Sequence, residues 1–216
     1  MGIKAGTVDE HLLLLEHDPP VYTLGRNAAD DDVVANAEWL RQRGVEVHRT
    51  NRGGKVTYHG PGQLVGYPII DLNPDRRDVR RYVRDLQETL IRTLGDFGIR
   101  AGRREGGAFI GVWVGDAKIA SIGVHLSRWI TIHGFALNVA TDLGLFGGII
   151  ACGLPEVRMT SMAEELGTAP PLAEVASCLA GHAVEIFERH GIEEDASALR
   201  RRLGPLGSEE AGQHDA

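Results

Sequence analysis

The chain has 216 residues, which suits one compact domain and is too long for a small scaffold held by disulfides. Hydrophobic residues make up 43% and charged residues 25%, as in ordinary globular proteins, so a fully disordered chain, a coiled coil and a fibre are excluded. The net charge of −7 lacks the basic excess used to bind nucleic acid, and no apolar run approaches the roughly 20 residues of a membrane helix.

The cysteine content and the first residues bear on the compartment. Cys152 and Cys178 are too few for a disulfide framework. No apolar segment of a signal peptide precedes Asp9 and Glu10. These features predict a cytoplasmic protein, with neither nucleic acid nor a membrane as its partner.

The first third of the chain is predicted to form short strands and turns. Apolar runs predict strands over residues 12–15 and 21–23, on either side of Pro19 and Pro20, because proline is excluded from the interior of a central strand. The pattern then predicts a turn at 25–27, a helix over 37–43, a strand over 45–49, a loop over 51–55 and a strand over 65–72.

A long amphipathic helix and a group of strands are predicted next. Apolar residues recur at three- and four-residue steps from Val79 to Phe97, which is the period of one buried helical face, and Gly98 is the predicted end. Alternating or apolar runs then predict a meander of three strands, over residues 109–114, 118–126 and 131–139.

The last quarter of the chain is predicted to be helical. Ser161 and Glu164 have the spacing of a capping box, and a second apolar stripe follows over residues 172–187. Without an internal repeat or a linker, we expect a single domain over residues 1–203 and a disordered tail over 204–216.

Glycine is unusually frequent, with 28 residues of 216, close to twice the average share of about 7%. Four glycines lie between Arg52 and Gln63, where they permit a close approach of the backbone to a ligand, and Arg52, Lys55 and His59 add hydrogen-bond donors. The spacing fits neither a Walker loop nor a dinucleotide-binding motif. The alternative interpretation is an ordinary surface loop.

Cys152 and Lys118 are the two candidate reactive side chains. Cys152 follows an apolar stretch and precedes a Gly-Leu-Pro turn. Because a free thiol has a pKa of about 8.5, it is a nucleophile at neutral pH only beside a basic or cationic group; otherwise it is a small buried hydrophobe. Lys118 shares a predicted strand face with Ala120 and Ile122, so one interpretation is that it points inward, where it could be the cationic group beside the thiol. The alternative is that Lys118, directly after a turn, points into solvent.

The remaining motifs argue against metal chemistry and serine hydrolysis. The nine histidines form no His-x-His or His-x-x-x-His pair, and neither a Cys-x-x-Cys nor a Gly-x-Ser-x-Gly motif occurs. We therefore predict no metal site and no cofactor. His59 and His133 either bind a ligand or brace their loops.

Four segments together resemble the lipoyl(octanoyl) transferase family. They read LLLEHDPPVYTLGR (13–26), RGGKVTYHGPGQLVGYPIIDL (52–72), KIASIGVHLSRWITIHGFALNV (118–139) and ACGLPEVRMTSM (151–162). The resemblance implies an α+β fold with a mixed sheet flanked by helices, similar to the catalytic domain of biotin and lipoate protein ligases. It also implies an acyltransferase that moves an octanoyl group from octanoyl-acyl carrier protein to a lysine of lipoyl domains in 2-oxo acid dehydrogenase complexes and the glycine cleavage H protein.

The resemblance also implies a set of site residues. Cys152 matches the nucleophile that carries the acyl group as a thioester, and Lys118 matches the lysine beside it. The segments that line the acyl and substrate site correspond to Arg52, Gly53, Gly54, Lys55, Val56, Thr57, Tyr58, His59, Ser121, Ile122, Gly123, Gly134, Phe135 and Ala136.

Two other functions on the same fold are compatible with these residues. An ATP-dependent lipoate-protein ligase needs no cysteine nucleophile, so Cys152 favours the transferase, and a silent acyl-binding protein would have lost Cys152 or Lys118. Family members carry a further strand and helix, about 17 residues at average element lengths, before the block that begins at Leu12, so we expect that an N-terminal element is missing here.

A row of arginines is a candidate docking surface. Arg76, Arg80 and Arg84 follow one line of the predicted helix, and Arg77 and Arg81 follow the next. These residues either steer an acidic carrier protein or form an ordinary solvated helix face.

Overall fold

The computed structural model describes residues 9–106, 109–150 and 157–203. Its strands are β1 (His11–Leu15), β2 (Val21–Leu24), β3 (Glu46–Arg49), β4 (Val56–His59), β5 (Gln63–Ile69), β6 (Gly111–Val114), β7 (Ala117–Ser127) and β8 (Ile130–Asn138). Its helices are α1 (Ala37–Arg43), α2 (Val79–Asp96), α3 (Met162–Leu166), α4 (Leu172–Phe187) and α5 (Ala196–Leu203).

The strands form two sheets. The larger sheet has the order β1-β5-β8-β7-β6 with every neighbouring pair antiparallel. The smaller sheet has the order β3-β2-β4, in which β2 runs parallel to β3 and antiparallel to β4. The strands predicted from the sequence are confirmed with small shifts of their ends, but β4 is a strand that the sequence pattern did not predict.

Helices α2 and α4 pack together and cover one face of the larger sheet. The Asp78 side chain caps α2 by accepting hydrogen bonds from the backbone of Arg80 and Arg81. The predicted capping residue Ser161 likewise accepts from the Glu164 backbone at the start of α3. The core beneath the helices is mainly aliphatic and includes Leu64, Leu86, Leu90, Leu94, Leu137 and Leu179.

A second core lies on the smaller sheet and is rich in aromatic side chains. Tyr58 contacts Phe146 and Tyr22 edge to face, at ring-centroid distances of 5.2 and 6.1 Å. Trp39 of α1 stacks on Tyr22. This core holds the smaller sheet to the segment that ends at Ile149.

The prediction of an exposed row of arginines is wrong for Arg76, which is buried. Its guanidinium pairs with Asp85 at 3.1 Å and with Glu188 at 3.2 Å, which ties the start of α2 to the end of α4. Arg80 and Arg84 are exposed, as predicted for a solvent-facing row. Among the described residues, no helix is both long and apolar enough to span a membrane.

Candidate active site

The glycine-rich loop (residues 50–55) joins β3 to β4 of the smaller sheet and also contacts the larger sheet. On one side the backbone N–H groups of Gly25 and Arg26 donate to the carbonyls of Lys55 and Arg52, each at 3.0 Å. On the other side the Gly53 N–H donates to the carbonyl of Val124 in β7 at 2.9 Å. The loop is therefore fixed against the middle of the larger sheet and is not a free surface loop.

Close backbone approach explains why glycine stands at two of these positions. A Cβ on Gly123 would lie 2.9 Å from the Gly53 carbonyl oxygen, so any side chain in β7 there would push the loop away. A Cβ on Gly134 of β8 would lie 2.2 Å from the carbonyl oxygen of Gly66 in β5. The glycine excess thus lets the loop and three strands approach each other closely at this place.

Arg52 anchors the loop from inside. Only 8% of the residue is exposed, and its guanidinium Nε donates to Thr23 Oγ1 at 3.1 Å while Nη1 donates to the Gly53 carbonyl at 3.1 Å. Its Nη2 also donates to the Thr23 carbonyl. Several of its donors are therefore used to join the loop to β2.

A chain of buried hydrogen bonds runs from Thr23 across the interface between the two sheets; we call it the polar chain. Thr23 Oγ1 lies 3.4 Å from His59 Nε2, and His59 Nδ1 lies 2.9 Å from Gln63 Oε1. Gln63 Nε2 donates to Asn138 Oδ1 at 3.0 Å, and Asn138 Nδ2 donates to the Thr160 carbonyl at 3.0 Å. The polar chain thus links the glycine-rich loop to the segment that follows residue 156.

The Thr160 carbonyl at one end of the polar chain determines which group donates and which accepts in every bond along it. The Thr160 carbonyl can only accept, so the Asn138 amide donates to it and the Asn138 oxygen accepts from Gln63. The Gln63 oxygen then accepts from Nδ1–H of His59, which leaves Nε2 to accept from the Thr23 hydroxyl. Burial lowers the pKa of His59 to about 4, so the ring is neutral at pH 7. These hydrogen bonds are those of a histidine that braces its surroundings, while its predicted contact with the substrate stays a prediction.

Lys118 is buried at the beginning of β7, with 1% of its surface exposed, which confirms the inward alternative. Its Nζ lies 5.6 Å from the centroid of the Trp113 ring, within the range of a cation–π contact. The register between β6 and β7 shifts between Val112 and Trp113, so a β-bulge interrupts the two-residue alternation from which the face of Lys118 was predicted. A Cβ on Gly111 would lie 2.5 Å from Lys118 Cε, so glycine leaves room for the lysine stem.

Cys152 lies outside the described residues, but the chain on both sides of 151–156 is well anchored. Before it, the Ile150 N–H donates to the carbonyl of Asp32 at 2.8 Å, and the Asp32 carboxylate lies 3.8 Å from Nζ of Lys55 in the glycine-rich loop. After it, the Arg158 carbonyl accepts from the backbone N–H of Lys118 at 2.8 Å. Ile150, on one side of this segment, therefore lies near the glycine-rich loop, and Arg158, on the other side, lies next to Lys118.

The other predicted site residues divide into two groups. Across the β7–β8 ladder, Ser121, Ile122 and Gly123 pair directly with Ala136, Phe135 and Gly134, next to the glycine-rich loop. In β4, Thr57 and His59 pair with Thr23 and Val21 of β2, whereas the side chains of Val56 and Tyr58 lie in the aromatic core. Burial there raises the pKa of Tyr58 to about 12.

The structure adds residues that the sequence interpretation did not select, namely Thr23, Gln63, Asn138 and Thr160 of the polar chain. A second histidine group lies at its edge. His17 Nε2 is 3.0 Å from the Tyr67 hydroxyl, and its ring is 5.3 Å from that of His59. His133 has a positive φ of 63° and contacts Asn51 Oδ1 at 2.6 Å, so it also braces a loop.

Comparison with solved structures identifies the class of fold. Lipoate-protein ligase A bound with ATP superposes with a TM-score of 0.73 at 19% identity, covering 85% of this chain and 74% of that chain. A bi-partite lipoate protein ligase from Thermoplasma acidophilum, analysed with its E2 lipoyl domain, gives 0.66 at 19% identity over 85% and 73%. Biotin protein ligase from Aquifex aeolicus gives 0.50 at 14% identity over 77% and 68%. The predicted α+β fold is confirmed.

Sequence comparison narrows this class. Residues 2–183 match the family described as lipoyl protein ligase A/B catalytic domain, and the chain belongs to that family. The octanoyltransferase of Solibacter usitatus is 55% identical over 185 residues, covering 86% of this chain and 82% of its own length. The octanoyltransferase of Myxococcus xanthus is 52% identical over 196 residues, covering 88% of this chain and 54% of its own length.

Proposed function

We propose that this protein is an acyltransferase that moves an octanoyl group from octanoyl-acyl carrier protein to a specific lysine of lipoyl domains through a thioester on Cys152. The observation that carries the proposal is the buried Lys118, whose backbone bonds to Arg158 just after the segment that contains Cys152. Octanoyltransferases about half identical to this chain support the same reaction. The ligases of similar fold share less than a fifth of its sequence and support the fold alone.

In the first half-reaction, Lys118 takes the proton of the Cys152 thiol, and the thiolate attacks the carbonyl carbon of the octanoyl thioester. The bond between that carbon and the carrier sulfur breaks as the new carbon–sulfur bond is completed. The leaving carrier thiolate takes the proton back from Lys118. A thioester is exchanged for a thioester, so no ATP is needed.

In the second half-reaction, the amine of the acceptor lysine attacks the same carbonyl carbon and displaces the Cys152 sulfur. Lys118 accepts the proton that the amine loses and returns it to the thiolate, which restores the starting enzyme. The product is an amide. Because an amide is more stable than a thioester, the transfer runs downhill.

The oxyanion of each tetrahedral intermediate needs backbone N–H donors. Two groups of backbone N–H donors could fill this role: those at Cys152 and Gly153, and those of the loop 52–54. The Gly53 N–H is already used by the carbonyl of Val124 at 2.9 Å. The proposed oxyanion hole therefore excludes the Gly53 N–H and draws on the N–H groups at Cys152 and Gly153 or on those of Arg52 and Gly54.

The substrates and the compartment follow from the same proposal. The acceptors are the lipoyl domains of 2-oxo acid dehydrogenase complexes and of the glycine cleavage H protein. A reducing cytoplasm suits an enzyme whose nucleophile is a thiol, because oxidation would block it.

A comparison of two substrate mixtures separates transferase from ligase. With octanoyl-acyl carrier protein, a lipoyl domain and no ATP, we expect octanoylated domain with the unaltered protein and none with Cys152→Ser. With free octanoate and ATP in place of the carrier, we expect no product. Product only in the second mixture would establish the ligase, and product in neither would establish a silent acyl-binding protein.

A further inference from the structure

Three potential metal ligands converge where the end of α2 meets α4. Asp96 is the last residue of α2, and Cys178 and His182 lie one turn apart on α4. Asp96 Oδ2 is 3.3 Å from Cys178 Sγ and 2.7 Å from His182 Nε2. The ligand atoms of all three residues lie within 4.8 Å of one another. We call this group the helix-end cluster.

We propose that the helix-end cluster binds a divalent cation of the zinc type. A thiolate, an imidazole and a carboxylate are the ligands that zinc takes in proteins, and together they select it over calcium and magnesium, which prefer oxygen ligands. The thiolate and the carboxylate also supply the two negative charges that balance the cation. Three protein ligands at a partly exposed helix end leave the fourth position to water.

A second carboxylate lies near His182. Its second ring nitrogen, Nδ1, faces Glu185 Oε2 at 3.9 Å. Metal-bound histidines commonly direct the remaining N–H to a carboxylate, which fixes the tautomer and orients the ring. Glu185 is in turn held by Arg92 Nη1 at 3.5 Å. This second carboxylate is independent of the three ligands and lies on the side of the ring away from them.

Loading the site requires the closest pair of ligand atoms to separate and any pair near the 4.8 Å limit to approach. In the metal-free form Asp96 Oδ2 accepts from both Cys178 and His182, so one oxygen already faces both other ligands. The cation takes the place of the two protons: the thiol proton goes to solvent and the imidazole proton moves to Nδ1, toward Glu185. Bond lengths of about 2.0 to 2.3 Å at a tetrahedral ion require the closest pair to separate by less than about 1 Å.

The cluster joins the last residue of α2 to the middle of α4, through the contacts of Asp96 with Cys178 and His182. The site would connect α2 and α4, the two helices over the larger sheet, so it acts on stability and is independent of the acyl-transfer proposal.

Cobalt absorption and zinc titration test the proposal on the full chain, free of any histidine tag and treated with chelator. We expect one equivalent of Co²⁺ to give a thiolate-to-cobalt charge-transfer band and one equivalent of Zn²⁺ to bind by calorimetry. Cys178→Ser is expected to remove the band and to weaken zinc binding at least tenfold. Glu185→Gln should weaken it by about tenfold through the orientation of His182.

Cys152→Ser is the matched control, because it removes the other thiol and leaves the helix-end cluster intact. It should keep the charge-transfer band, the stoichiometry and the rise in melting temperature that zinc produces. The proposal is overturned if Cys178→Ser binds zinc as the unaltered protein does, if the band is lost with Cys152→Ser, or if the unaltered protein binds less than one equivalent.

Discussion

The two faces of the larger sheet differ in what holds them together. Under α2 and α4 the core is mainly aliphatic, and it is held chiefly by the packing of apolar side chains. Toward the glycine-rich loop, by contrast, the buried side chains are polar, and each bond of the polar chain has a defined donor and acceptor. This second group comprises Arg52, His59, Gln63, Lys118, Asn138 and Thr160.

The aliphatic face contributes mainly to the stability of the fold, whereas the polar face fixes the positions of side chains at the candidate site. Burial of aliphatic surface is non-directional and stabilises the fold whichever way the side chains interdigitate. A buried polar chain contributes less net free energy, but it fixes where its members lie, because each unsatisfied group would cost about 1 to 3 kcal/mol. We therefore expect substitutions on the two faces to affect different measurements.

The largest expected effect is on the reaction, from Lys118→Met. Methionine preserves the length of the buried stem and removes the amine that we propose transfers protons in both half-reactions. We expect the rate of octanoyl transfer to fall by about 10²- to 10⁴-fold, with a far smaller effect on thermal unfolding. A variant that keeps more than a tenth of the activity would exclude Lys118 as the base.

The converse substitution is Leu90→Ala under the helices. Leu90 is completely buried in α2, so the truncation should lower the free energy of unfolding by about 2 to 5 kcal/mol. Activity measured well below the unfolding temperature should stay close to that of the unaltered protein. The partly exposed Leu166→Ala is the control, with an expected loss below about 0.5 kcal/mol.

The polar chain predicts a dependence of stability on pH. The folded protein keeps His59 neutral down to a pKa of about 4, whereas in the unfolded chain it takes up a proton below about 6.5. The stabilisation is therefore complete above pH 6.5, declines as the pH falls to 4, and amounts to roughly 3 kcal/mol.

Urea unfolding between pH 7 and pH 4 measures this contribution. His59→Gln should flatten the decline, and the exposed His48→Gln should leave it as in the unaltered protein. An unchanged slope in His59→Gln would mean that folding does not lower the pKa of this histidine.

The smallest effect is expected at the exposed arginines of α2. Replacing Arg80 and Arg84 together by glutamate reverses the local charge, so the Michaelis constant for the acidic carrier protein should rise by about tenfold at low salt and less at high salt. Arg41→Glu on α1 is the matched exposed control. An unchanged constant would make the row an ordinary solvated surface.

The sequence predicted most of the fold because its apolar periodicity is strong. The stripe of α2, the meander of β6 to β8 and the cap at Ser161 all follow local rules, and each is confirmed. The burial of Arg76 was missed because its partner Glu188 is far along the chain. Strand β4 was missed because Val56 to His59 lie within a glycine-rich segment whose composition indicates a loop.

The candidate site was predictable only in part, because many of its contacts join residues that are far apart along the chain. Glycines, a cysteine and a lysine are visible in the sequence, and the family resemblance relates them to a reaction. The partners of Asn138 and Gln63 come from separate strands and a later segment, so no spacing in the sequence indicates the polar chain. The helix-end cluster likewise joins Asp96 to two residues more than eighty positions away.

The most direct test of the account is intact mass spectrometry of the protein mixed with octanoyl-acyl carrier protein, without ATP or acceptor. We predict a mass increase of one octanoyl group, located on Cys152 by peptide mapping, that disappears when a lipoyl domain is added as the domain becomes octanoylated. An octanoyl adduct on another residue would contradict the account. So would a Cys152→Ser variant that forms no adduct and yet octanoylates the lipoyl domain as fast as the unaltered protein.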